Sequence, residues 1–224
     1  MGAFDFYWRK DFEPDSETER YHLGVLAVQK LLQFNRRYRD GELDGVFGGR
    51  MHKAAVRFQG DAGLGADGVV GPNTCRALFV SLIVAVERTY GIPFGYLCGL
   101  VKLESLFDPV ATGWADPDDR GVAQINRRFH PDVSDEEAFD PDFAINWVGK
   151  RLKDAYASYK DDCPKRAWRA AILHHNRPVS SRQLCAGGYE NIQAVFDSSG
   201  QLVRTADEEQ ARCKQYVELV SFGC

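Results

Sequence analysis

Apolar positions along the chain recur mostly at helical spacing, and Gly, Pro and Asp mark the breaks between runs. "YHLGVLAVQKLLQFNRRY" predicts a first helix with Leu23, Leu26, Leu31 and Phe34 as candidate core. "RMHKAAVRFQGDAGLG" predicts a second, with Ala55, Phe58 and Gln59 on one side and glycines closing it. "GPNTCRALF" opens a third behind Pro72, with Asn73 or Thr74 as its cap, and it runs on through "FVSLIVAVERTYGIP". These three make a compact all-α unit at the lower edge of the size that folds alone.

Further along, Pro93 can open a short helix and Pro109 must end it. Phe94, Leu97, Val101 and Glu104 fall on one face of it, with Leu100 beside them. A carboxylate on a core face is costly unless paired or protonated. Glu104 is therefore a structural ion-pair partner, a sign that the register is off by one, or a functional acid.

Three more helices follow. "DPDFAINWVGKRLKDAYASY" is capped by Asp140 and Pro141, with Phe143, Ile145, Trp147, Leu152, Ala155 and Tyr159 in rhythm. "PKRAWRAAILHHN" is next, with Trp168 at a core-like position. "TADEEQARCKQYVELVSF" closes the chain, Thr205 and Glu208 forming a capping box. Few runs show strand alternation, the best of them in "ATGWADPDDRGVAQIN", which suits a small hairpin. The expected fold is mainly α: a three-helix domain over 1–79 and a larger α-rich domain over 80–224, with no strand-rich region.

With 224 residues, 44% hydrophobic, and a net charge of -4, the chain is ordinary globular material. The mild acidity argues against nucleic acid as a partner. Basic clusters at "NRRYR" (35–39) and "INRRFH" (125–130) are offset by acidic runs and read as solvated faces. The N-terminus has no basic start leading into an apolar run, and "ALFVSLIVAV" is too short to span a bilayer. A soluble monomer made inside a cell, with no membrane insertion, is the expectation. The six cysteines show no CxxC or metal-ligand spacing; their even number permits up to three bridges, while synthesis inside a cell argues for free, mostly buried thiols, so both states stay open.

Two segments repeat, "LDGVFG" at 43–48 and "ADGVVG" at 66–71, each an Asp-Gly turn running into Val-x-Gly. With "VLAVQKLL" and the "AAVRFQ" helix, they make residues 20–79 resemble the peptidoglycan-binding domain of bacterial and phage cell-wall hydrolases. The resemblance implies peptidoglycan as partner. Asp44 and Asp67, in the repeated turns, are candidates for wall contact or for a structural role.

"GIPFGYLCGLVKLESLFDP", "GVAQIN", "FDPDFAINWVGKRL" and "AILHHN", in that order, resemble the lytic transglycosylase and goose-type lysozyme superfamily over about residues 85–180. The resemblance makes Glu104 the catalytic acid. It makes Ser105, Gln124 and Ile125, together with Asn126, His175 and Asn176, glycan-site residues. His175 stands where that family has Tyr. "GWAD" resembles the goose-type branch, in which Asp116 would help activate water; Asn126 replaces a second Asp there. Trp114 is a candidate to stack on a sugar ring or simply to pack.

The two resemblances together imply an endolysin-like muramidase, needing no metal or cofactor and reaching the wall after release from a host cytoplasm. Anhydro-forming transglycosylation remains open beside hydrolysis. A zinc peptidase is disfavoured because adjacent His174 and His175 point about 100° apart and the other histidines lack ligand spacing. A cysteine peptidase and a non-catalytic wall binder are further alternatives.

Overall fold

The computed structural model describes residues 8–9, 18–39, 42–113, 116–175, 177–196 and 199–221. Among these, nine α-helices, one 3-10 turn and two two-stranded sheets make the mainly helical architecture that the apolar spacing predicts. No described helix is long and apolar enough to cross a membrane.

By its packing the chain divides into two units, Met1–Val86 with Val101–Trp147, and Glu87–Leu100 with Val148–Cys224. The divisions fall inside three helices, α3 (Pro72–Tyr90), α4 (Tyr96–Ser105) and α6 (Pro141–Tyr159). The sequence-based boundary near residue 80 also lies inside α3.

The first unit contains α1 (Thr18–Phe34), α2 (Gly49–Asp61) and most of α3. The buried stripe of α1 is Tyr21, Val25, Val28 and Leu32, with Ala27 and Leu31 beside it. Of the expected core, Leu31 is buried, Leu23 and Leu26 are half-buried, and Phe34 is exposed. The stripe is rotated because Trp8 covers Gly24: any Cβ there would collide with the indole. Trp8 is itself pinned by a two-way backbone bridge to Val70 and by its indole N–H donating to the Tyr21 carbonyl at 3.3 Å.

The end of α4, the hairpin β1 (Asp119–Arg120) with β2 (Ile125–Asn126), α5 (Asp135–Ala138) and the start of α6 belong to the same unit. Phe107 lies against Phe79, ring centres 6.4 Å apart, and Lys30 of α1 pairs with Asp140. The hairpin is backed by Arg120, whose buried guanidinium donates to the carbonyls of Ile125 and Val133 and to Asp135. Asp140 caps α6 as expected, accepting from the Phe143 N–H at 2.8 Å.

The second unit gathers α7 (Ala167–His174), α8 (Pro178–Gly187), a 3-10 turn (Tyr189–Asn191), the hairpin β3 (Val195–Phe196) with β4 (Leu202–Arg204), and α9 (Ala206–Ser221). The C-terminal stretch packs on α7 by way of α9 and on α8 by way of the 3-10 turn. Glu209 of α9 is buried and accepts from Ser180, Arg177 and Arg204. The Thr205–Glu208 capping box is formed.

One open point is settled here and two expectations are corrected. The thiols are not all free: Cys163 is bonded to Cys185 and Cys98 is also disulfide-bonded, while Cys75 and Cys213 are buried thiols. Phe94 is exposed and lies before α4, because the helix starts at Tyr96. Trp147 and Trp168 are half-buried; Trp168 stacks on Tyr156 at 4.2 Å instead of filling a core.

Candidate functional site

Glu104 sits in the last turn of α4, half-buried, directly beyond the fully buried Leu100 and Val101. What holds that turn is Ser105, whose hydroxyl donates to the Val101 carbonyl (3.1 Å) and accepts from the Phe107 N–H (3.2 Å). Leu106 and Phe107 then both adopt left-handed backbone, φ 55 and 67°. Two successive bulky residues in that region are strained, and such strain persists only where surrounding contacts impose it. A third left-handed residue, Gln124 (φ 49°), lies in the turn joining β1 to β2. Its side chain folds back onto the Gly121 carbonyl at 2.9 Å.

The acidic loop before β1 is organised by one amide. Asn126 donates one hydrogen bond to Asp119 (2.7 Å) and one to Asp116 (3.1 Å), while its oxygen accepts from the Arg128 N–H at 3.0 Å. Arg128 also pairs with Asp116 and, at 2.9 Å, with Asp118. Asp116 is held below the ordinary carboxylate value by the Asp118 N–H first, then by Asn126 and Arg128. Asp119 differs: burial pushes its carboxyl up, and the nearby Asp116 and Glu104 charges push the same way against the Asn126 bond. Gly113 leaves room for it, since a Cβ there would stand 2.9 Å from Asp119 Oδ2.

The structure thus brings Glu104, Asp116, Asp119 and Asn126 into one electrostatic neighbourhood. Asp119 was missed in the sequence, where "DPDDR" offers three equivalent acids; Asn126 bonds both Asp116 and Asp119, and what sets Asp119 apart is its burial, with no arginine paired to it among the described residues. Ile125 is fully buried and supports the hairpin from beneath. His175 is half-buried at the end of α7 in the second unit, while Trp114 and Asn176 lie outside the described residues. His174 accepts or donates at Nδ1 with the Tyr159 hydroxyl (2.9 Å), and burial lowers its pKa.

At the repeated turns, the same lock is built twice. Gln29 donates to Asp44 (2.7 Å) and to the Val46 carbonyl (3.1 Å), and its oxygen accepts from the Gly45 N–H (3.1 Å). Gln59 donates to Asp67 (3.0 Å) and the Val69 carbonyl (2.9 Å), and accepts from the Gly68 N–H (2.8 Å). Each Asp also accepts from the N–H two residues on, at 2.9 Å. These bonds, led by Gln29 for Asp44 and by the Val69 N–H for Asp67, hold both carboxyls below their ordinary value. Thr74, expected as a cap, instead lies buried within reach of Gln59 at 3.2 Å.

Residues 22–78 match the peptidoglycan-binding domain family. The match spans both locks, all of α2, most of α1 and the first part of α3. It supports a cell-wall-associated function with peptidoglycan as the partner of this wall-binding module. No curated protein matches the chain. Within the module, the Asp44 and Asp67 carboxylates are engaged in closing its turns.

Proposed function

We propose that the chain is a peptidoglycan glycosidase cleaving the β-1,4 bond between N-acetylmuramic acid and N-acetylglucosamine, with Glu104 as general acid. The supporting observation is that Glu104, at the end of α4 and directly ahead of the left-handed Leu106 and Phe107, interacts electrostatically with the part-buried carboxyl of Asp119. Glu104 donates its proton to the leaving oxygen of N-acetylglucosamine as the bond to the muramyl anomeric carbon breaks. A water adds to that carbon and loses its proton to a second carboxylate. Asp119 suits this step better than Asp116, because Asp116 is tied to Arg128 as well as to Asn126. The wall-binding module on the same chain raises the effective concentration of the site on an insoluble polymer. The endolysin setting that the sequence resembles belongs to the same proposal.

A second reading, lytic transglycosylation, is favoured by the amide at Asn126, which cannot take a proton from water, and by the engagement of Asp116. There the muramyl 6-hydroxyl attacks its own anomeric carbon and Glu104 takes back the proton. Mass spectrometry of muropeptides released from purified peptidoglycan separates the two. A reducing muramic acid end means hydrolysis, and products lighter by one water mean the anhydro route. Peptide-bond products that persist in Glu104→Gln overturn both.

A further inference from the structure

The "NRRYR" cluster is more than a solvated face. α1 ends at Phe34 in a two-bond cap, Arg36 N–H to the Gln33 carbonyl and Arg37 N–H to the Leu32 carbonyl, both 2.8 Å. This is the Schellman arrangement, whose left-handed position is normally glycine. Here that position is Arg36, with φ 59°. The strain is held in place by Asn35, whose amide donates to the Leu31 carbonyl (2.8 Å) and to the Leu78 carbonyl of α3 (3.0 Å). A strained arginine where glycine is cheapest calls for a role that glycine cannot fill.

Arg36, Arg37 and Arg57 of α2 line an open concavity of about 390 Å³ with Asp61. Asp61 holds Arg37 through Nε at 2.7 Å. Neither Arg36 nor Arg57 has a side-chain partner among the described residues. Three guanidinium groups against one carboxylate make a positive hollow on a chain of net charge -4. Guanidinium forks match planar carboxylates bidentately.

We propose that Arg36, Arg37 and Arg57 form a carboxylate-binding subsite of the wall-binding module, taking the free carboxylates of peptidoglycan peptide stems. The proposal rests on the wall-binding reading and adds to it the part of the polymer that is gripped. Carboxylates are chosen over phosphate because peptide stems belong to peptidoglycan itself, the partner that the family match supports.

The test is co-sedimentation of the full chain with purified sacculi in three forms: native, carboxyl-amidated, and acid-stripped of phosphodiester polymers. The variants are Arg36→Gly with Arg57→Gln, Arg36→Gly alone, and Arg76→Gln as an exposed control. The double variant is expected to bind native sacculi about tenfold more weakly. Amidation should weaken the wild type by a similar factor and leave the double variant unchanged. Arg36→Gly alone should raise the thermal midpoint while weakening binding, a pairing that misfolding cannot produce.

Wild-type binding by the double variant overturns the proposal. So does loss of wild-type binding on acid-stripped but not amidated sacculi, which assigns the hollow to phosphate. Failure of the wild type to bind any sacculus overturns the wall-binding reading itself.

Discussion

Asn126 holds the Asp119 carboxylate through a 2.7 Å amide hydrogen bond, and this bond opposes the burial that raises the Asp119 pKa. A carboxyl raised above its ordinary 3.8 lowers stability as pH rises from the unfolded value through the folded one, and the deficit persists above it. Asp119→Asn removes that cost. It should melt higher than wild type at pH 7, with the difference vanishing near pH 3; under the glycosidase function proposed above, wall lysis should also fall by about 100-fold. A melt no higher than wild type at pH 7 contradicts the electrostatic account.

Gln59 is buried and satisfies four groups in one turn. Gln59→Ala should destabilise the chain by about 3 kcal/mol, because buried donors and acceptors lose their partners. Gln59→Glu should be no better, since it sets a second carboxylate against Asp67. Urea denaturation followed by tryptophan fluorescence checks both, Trp8 lying in this unit.

Glu87, buried near the end of α3, accepts from the Gly95 N–H (3.0 Å) and the Leu97 N–H (2.9 Å) at the start of α4. Glu87→Gln replaces one acceptor by a donor facing an N–H. The expected cost is about 1–3 kcal/mol. Hydrogen exchange at Gly95 and Leu97 should quicken in this variant; unchanged protection there would refute the capping role.

The Cys163–Cys185 bridge joins residues 22 apart in sequence and encloses α7. Closing a loop of that length restricts the unfolded chain by about 3 kcal/mol. Cys163→Ser with Cys185→Ser, or reduction of the wild type, should lower the thermal midpoint by several degrees. An unchanged midpoint would mean the bridge adds no stability.

Local signals carried far in this sequence. The caps at Asp140 and Thr205, the hairpin in "DDRGVAQIN" and the repeated Asp-Gly turns all depend on neighbours within a few residues, and all are present. What escaped depends on distant contacts. The α1 stripe is set by Trp8 lying over Gly24, and Asp119 is distinguished from Asp116 and Asp118 by its burial and by Arg128 pairing with the other two. The Cys163–Cys185 pairing joins distant positions that no spacing motif marks.

The two glutamine locks have a temporal side. Gln29 reaches no further than Val46, and Gln59 no further than Thr74. Short loops close within about 100 ns, whereas a ribosome adds only some 5–20 residues per second. Both fastenings can therefore set as soon as this stretch clears the exit tunnel, while the sequence bearing Glu104 is still emerging. The wall-binding turns have the means to be fastened before the rest of their own packing unit, Val101–Trp147, has emerged.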